Sequence, residues 1–211
     1  MGRKLTLGIV LIIFTLLLAC TQQHYDAEEN FEVKIIDNGR AIEIVGYKGN
    51  NTSPRTEIKI PPRIQNLPVT SIGEEAFLLT FSNIESDTLD LIIPDGITHI
   101  GEMSFAGNYF TGVIIPKSVI YIGDYAFANN AFTNVTIPDS VTYLGESSFA
   151  KNELIGISIP NGVTHIENSS FAENLIQNLT IPESIIYIGN GAFRDDYSCK
   201  VRPPILITLG H

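Results

Sequence analysis

Along most of this chain the apolar residues follow neither the 3.6-residue beat of a helix nor sustained two-residue alternation. A short run such as Phe110-x-x-Val113-x-Ile115-Pro116 leads into Val119-x-x-Ile122-Gly123-x-x-Ala126-Phe127, and the pattern then starts again. Ile-Pro recurs at Ile93, Ile115, Ile137, Ile159 and Ile181, each 22 residues after the last. Phenylalanine keeps the same period at Phe105, Phe127, Phe149, Phe171 and Phe193, and asparagine keeps it at Asn108, Asn130, Asn152 and Asn174. Three chemically different columns on one period predict a stack of like coils around a continuous seam, not a single central core.

Within a coil, the first apolar run predicts a short strand that ends at proline, because proline cannot donate to a ladder. Val119 and Ile122 then point inward, Gly123 permits a turn, and Ala126 and Phe127 fill the far side. Asn130 falls at the bend into the next coil, where a side-chain amide can bond backbone groups that burial would orphan. Before the stack, Phe31-x-Val33-x-Ile35 and Ile42-x-Ile44 alternate about Asn38-Gly39, which predicts a hairpin over residues 31–45 covering the first coil. Two stretches break the period. Five extra residues precede Ile72-Gly73, and six lie within residues 80–89, where an outward polar loop is expected.

Phe132-x-x-Val135-x-Ile137-Pro138-x-x-Val141-x-x-Leu144-Gly145-x-x-Ser148-Phe149-x-x-Asn152 resembles the BspA-type class of leucine-rich repeats. The resemblance covers roughly residues 31–207. It implies a leucine-rich-repeat solenoid, β-rich with short helical or 3-10 turns, closed by an N-terminal β-hairpin cap. Such proteins are typically bacterial surface or secreted proteins, and some bind host matrix proteins or other bacteria. The chain departs from the pattern at Glu167, which stands where the other coils have the turn glycine, and in having asparagine where many relatives have cysteine.

The N-terminus carries a second signal. Basic Arg3-Lys4 and an apolar stretch over residues 5–18 lead to Leu17-Leu18-Ala19-Cys20. This is similar to a bacterial lipobox, which implies that Cys20 is lipidated (palmitate) and becomes the mature N-terminus. The alternative is an ordinary secretory signal with an incidental cysteine. The expected organisation is a signal peptide over 1–19, lipidated cysteine and flexible tether over 20–30, cap over 31–57, solenoid over 58–200 and a truncated last coil over 201–211. The apolar tail from Ile205 to Leu209 makes that last coil a candidate edge for self-association.

Charge narrows the partners. The chain carries 13 basic and 23 acidic residues, a net charge of −10. A surface this acidic repels phosphate, which argues against nucleic acid and against direct contact with anionic lipid headgroups. Contact with the membrane is expected through the lipid anchor only.

Candidate chemistry is sparse. His99 and His165 lie three coils apart, roughly 14 Å at the spacing of neighbouring strands, so they cannot share a substrate atom. No phosphate loop, zinc-protease motif or cysteine cluster occurs, so no enzyme, cofactor or metal is expected. Glu102, Asp124 and Glu146 form a column that reads as a solvated acidic ridge. The more informative column is His99, Tyr121, Tyr143, His165 and Tyr187. With β-branched neighbours on both sides, alternation would turn these rings outward. Such a row suits a protein-binding surface, and it equally suits mutual support along a ladder. The two roles are compatible. The column Ile114, Thr136, Ser158 and Thr180 offers nothing comparable.

The resulting expectation is a lipid-anchored recognition solenoid at the outer surface of a bacterial envelope, adhesin-like, with matrix or other bacterial surface proteins as ligands. The alternative is a periplasm-facing structural lipoprotein with no host ligand.

Overall fold

The computed structural model describes residues 25–84, 87–194, 200–202 and 208–209. Cys20 lies outside the described residues, as do Ile205, Leu206 and Ile207 of the apolar tail. The first strands, β1 (Phe31–Ile36) and β2 (Ala41–Tyr47), form the antiparallel hairpin that alternation predicts. Its turn places Asn38 and Gly39 at φ 53° and 88°, the left-handed region that an Asn-Gly pair tolerates best.

Residues 25–30, expected within a flexible tether, are instead packed against this cap. The Asp26 carboxylate accepts the Lys59 backbone N–H at 2.8 Å and lies 3.0 Å from the Arg55 guanidinium. Its own N–H donates to the Lys59 carbonyl at 2.9 Å. A half-buried carboxylate with this many partners fixes the chain from that point onward.

The stack begins with β3 (Glu57–Lys59). The five extra residues that follow make a tight hairpin of β4 (Arg63–Ile64) and β5 (Leu67–Ile72), with Gln65 and Asn66 both at positive φ. Each later coil contributes two short strands. These are β6 (Asp90–Ile92) and β7 (His99–Ile100), β8 (Gly112–Ile114) and β9 (Tyr121–Ile122), β10 (Asn134–Thr136) and β11 (Tyr143–Leu144), β12 (Gly156–Ser158) and β13 (His165–Ile166), and β14 (Asn178–Thr180) and β15 (Tyr187–Ile188). Beyond these, β16 (Lys200–Arg202) pairs with β14, and β17 (Thr208–Leu209) pairs with β15.

One parallel face runs β2-β5-β7-β9-β11, with the hairpin added to its edge through β2. A second face carries β3-β6-β8, then β10-β12, then β14-β16. Between the faces the apolar columns close a seam in which Phe105, Phe127, Phe149 and Phe171 are fully buried. Their rings stack coil on coil at 5.2–5.8 Å.

Among the described residues the third side of each coil contains no strand. There the backbone alternates into the left-handed region, at Met103, Tyr125, Ser147 and Ser169 and again at Asn129, Lys151 and Glu173. Non-glycine residues rarely adopt this conformation, and it persists where surrounding bonds over-determine it. Here it aims three amides per coil at carbonyls of the following coil. Tyr125, Phe127 and Asn129, for example, donate to Glu146, Ser148 and Ala150 at 2.8–2.9 Å.

The asparagine column closes the bend. Asn130 Nδ2 donates to the carbonyls of Phe105, Phe127 and Ala128, while its oxygen accepts the Phe110 N–H at 3.0 Å. Asn108, Asn152 and Asn174 make equivalent sets of bonds.

Two expectations are corrected here. The insertion after Phe77 is not wholly an outward polar loop. Phe81 is fully buried against Phe77 and Phe110, and its N–H donates to the Asn108 oxygen. The turn glycines are required for a different reason than the turn itself. Gly101, Gly123, Gly145 and Gly189 all have negative φ, so conformation does not demand glycine there. A Cβ on Gly123 would instead stand 2.8 Å from the Glu102 nitrogen, and one on Gly189 would stand 2.7 Å from the Glu167 carbonyl carbon. Glycine is what lets successive coils touch backbone to backbone at this corner.

Candidate functional site

The five rings of the aromatic column sit at the first position of β7, β9, β11, β13 and β15. His99, Tyr143 and His165 are exposed, and Tyr121 and Tyr187 are half-buried. The alternation expected around them is only partly realised. Ile122 is fully buried, but Ile120 is 45% exposed. With strands of two residues, Val119 and Ile122 both face the seam and the pair between them is left on the outside.

Tyr121 and Tyr143 stack at 4.7 Å with planes 3° apart, and His99 stacks on Tyr121 at 5.8 Å. His165 lies against Tyr187 at 5.7 Å. Among the described residues no ring contact joins Tyr143 to His165, and no ladder joins β11 to β13. The ridge is therefore one run of three rings and one run of two.

The gap coincides with Glu167, where the glycine column is interrupted. Elsewhere on this face the glycine-column amide bonds the preceding coil: Gly123 to Ile100 at 2.8 Å, Gly145 to Ile122 at 2.9 Å and Gly189 to Ile166 at 2.7 Å. A bond between the Glu167 amide and Leu144 is absent, as is one between the Thr164 amide and Thr142. At the spacing seen for Gly145, where a Cβ would stand 2.4 Å from the Asp124 nitrogen, a side chain at this corner requires the neighbouring backbone to draw back. The Ser170 hydroxyl reaches the Gly145 carbonyl at 3.3 Å across this corner. On the turn side the same two coils remain bonded, from Ser147, Phe149 and Lys151 to Asn168, Ser170 and Ala172. One face of the interface opens while the other stays shut.

Carboxylates border the ridge. Tyr121 and Tyr143 both hold their phenol protons above the ordinary value, through partial burial first and then through Asp124, with Glu102 adding at Tyr121 and Glu167 and Glu146 adding at Tyr143. The column read as a solvated ridge is partly structural, since Asp124 Oδ1 accepts the Glu146 N–H at 2.8 Å. No group of three or more His, Cys, Asp or Glu among the described residues is arranged to hold a metal.

Two concavities were not evident from the sequence. A trough of about 570 Å³ runs along the turn side with Ala106, Ala128, Ala150 and Ala172 as its floor. It is apolar at the Leu79 and Met103 end and charged at the Lys151, Glu173 and Arg194 end. The alanine column keeps the 22-residue period, so the signal was present. A depression of about 660 Å³ lies where β8 and β10 fail to pair, beside Ile114, which is 67% exposed. The strand face thus offers more than its small polar column suggests.

The sequence profile of the BspA type leucine rich repeat region matches residues 70–200 in six copies. The chain belongs to the BspA-type leucine-rich repeat family. Among solved structures, this BspA-type protein is similar to a leucine-rich repeat protein from Bacteroides ovatus, at 21% identity over 86% of this chain with a TM-score of 0.60. It spans about half of that protein, 54% of its length. It is also similar to the Treponema protein titled T. pallidum Leucine Rich Repeat protein, at 18% identity and a TM-score of 0.56, covering 80% of this chain and 86% of that one. At these identities the likeness is one of fold. No curated protein matches the chain by sequence.

Proposed function

We propose that this BspA-type chain is a lipid-anchored recognition protein of the bacterial cell envelope, adhesin-like, that binds protein ligands on the ridge of His99, Tyr121, Tyr143, His165 and Tyr187. The observation that carries the reading is the exposed, stacked ridge itself. Tyrosine presents contact area at low entropic cost, and stacking on a ladder pre-orders the rings further. The lipobox-like Cys20 supplies the anchor. With the chain fixed again at Asp26, the intervening residues reach at most about 20 Å, which keeps the cap within that distance of the anchor.

Binding of the soluble region from Gln22 onward to matrix proteins and bacterial surfaces tests the reading. Tyr121→Ser with Tyr143→Ser should weaken capture at least tenfold, as expected when central aromatic anchors are truncated. Unchanged capture would exclude the ridge. Cys20→Ala should abolish palmitate labelling, and continued labelling would remove the anchor. Protease treatment of intact cells should trim the displayed protein. Full protection would favour the periplasm-facing alternative.

A further inference from the structure

The gap in the ridge has a chemistry of its own. Between residues 64 and 194 there are three basic side chains, Lys117, Lys151 and Arg194, against fourteen acidic ones. Lys151 and Arg194 both pair with Glu173 on the turn side. Glu146 and Glu167 are half-buried, and neither has a salt-bridge partner among the described residues. A carboxylate without a cation of its own is open to one supplied by a partner.

Tyr143 stacks on Tyr121 through one ring face, and its other face looks along the stack toward the missing contact with His165. The Nδ1 of His165 is engaged by the Thr164 hydroxyl at 2.9 Å, and its ring is set against Tyr187. The break therefore presents an aromatic face on one side and an imidazole on the other, with the Glu167 and Glu146 carboxylates near enough to act on the Tyr143 phenol.

We propose that this gap seats one arginine side chain of a protein partner, its guanidinium plane laid on the open face of Tyr143 and its N–H groups directed to Glu167 and Glu146. A guanidinium is planar, stacks on aromatic faces and meets carboxylates with a fork of donors, whereas an ammonium matches only the charge. The Tyr143 phenol, raised first by burial and then by Asp124, also feels the Glu167 and Glu146 carboxylates. The inference deepens the ridge reading and rests on it for the face that the partner approaches.

The test uses the soluble protein and a short fluorescent peptide with a single central arginine, beside its lysine and citrulline counterparts. Citrulline keeps the shape and removes the charge. The arginine peptide should bind at least tenfold tighter than either counterpart and should shift the ring signals of Tyr143 and His165 in NMR spectra. Glu167→Gln, which keeps the Cβ and so keeps the gap, should weaken it about tenfold, as for loss of one charge-assisted bond. Glu102→Gln, an equal loss of charge three coils away, should leave binding unchanged.

Equal binding of the citrulline peptide, equal binding of the lysine peptide, an equal loss in Glu102→Gln, or no binding to the folded protein would each overturn the proposal. Failure here with intact capture of a partner through Tyr121 and Tyr143 removes the arginine site and leaves the ridge. Arginine binding without any protein partner does the reverse.

Discussion

Two aromatic ladders run along this molecule, sharing a 22-residue period from residue 99 onward, and they behave differently at the one coil that lacks the corner glycine. The interior ladder from Phe77 to Phe193 is continuous, and its Phe149–Phe171 step across the Glu167 coil is 5.8 Å with planes 6° apart. The exterior ladder stops at that same step, between Tyr143 and His165. Inside, rings are kept in contact by close packing on all sides, which tolerates a few tenths of an ångström of extra spacing. Outside, contact depends on how closely two backbones approach at the corner, and that is governed by whether the corner residue has a Cβ. A solenoid can therefore open one face and keep its core sealed.

The interior ladder should be the costlier to break. Phe149→Ala, mid-stack and fully buried, should destabilise by about 3–5 kcal/mol in urea unfolding, since the coils on either side cannot collapse into the space. A loss below about 1 kcal/mol would contradict the packing described.

Copying the natural break is the next test. An alanine Cβ at Gly145 would collide with the backbone of Gly123 and Asp124, so Gly145→Ala should cost about 1–3 kcal/mol. It should also speed hydrogen exchange of the amide that bonds Ile122. If exchange there is unchanged, corner approach is not what holds this ladder.

Removing the break should act in the opposite direction. Glu167→Gly should restore one or two inter-coil bonds, a gain of about 1 kcal/mol offset in part by glycine entropy. Tyr143 and His165 should then come into ring contact, which nuclear Overhauser effects would report.

The smallest effect concerns pH. Tyr121 and Tyr143 keep their protons more tightly in the fold than in the unfolded chain, where the value is near 10.0. Their contribution is complete below that value and is lost as pH rises through the raised one, so stability should fall above about pH 10. Replacing both with phenylalanine should make that fall shallower, while Tyr47, also raised by burial and by Asp26, remains to titrate.

Much of the architecture was legible because a solenoid writes its period directly into sequence. Ile-Pro marks the end of each first strand, and Asn38-Gly39 marks the hairpin turn. What escaped depends on distances between coils, which column-by-column reading does not measure. Gly123 reads as a turn residue in either case, yet only the nearness of Glu102 explains why it is glycine. Glu167 is visible as a departure, but its effect falls on Tyr143 and Thr142 in the preceding coil. Phe81 was hidden because an insertion shifted it off the period. The alanine-floored trough went unread because small residues draw attention only once their neighbours are known to rise around them.

The turn side carries a further consequence. Among the described residues its backbone bonds between coils run one way, from the amides of an earlier coil to the carbonyls of a later one, from Glu75 through Glu173. That side therefore has a direction, like an arrow along the stack. Two copies meeting through it could not do so by a twofold axis, because donors would face donors. Continuation would have to be head to tail, a heterologous contact that extends into a filament unless its rotation closes a ring. The hairpin at the front of the stack occupies the edge of the neighbouring face through β2, so growth in that direction meets an antiparallel ribbon in place of a matching coil.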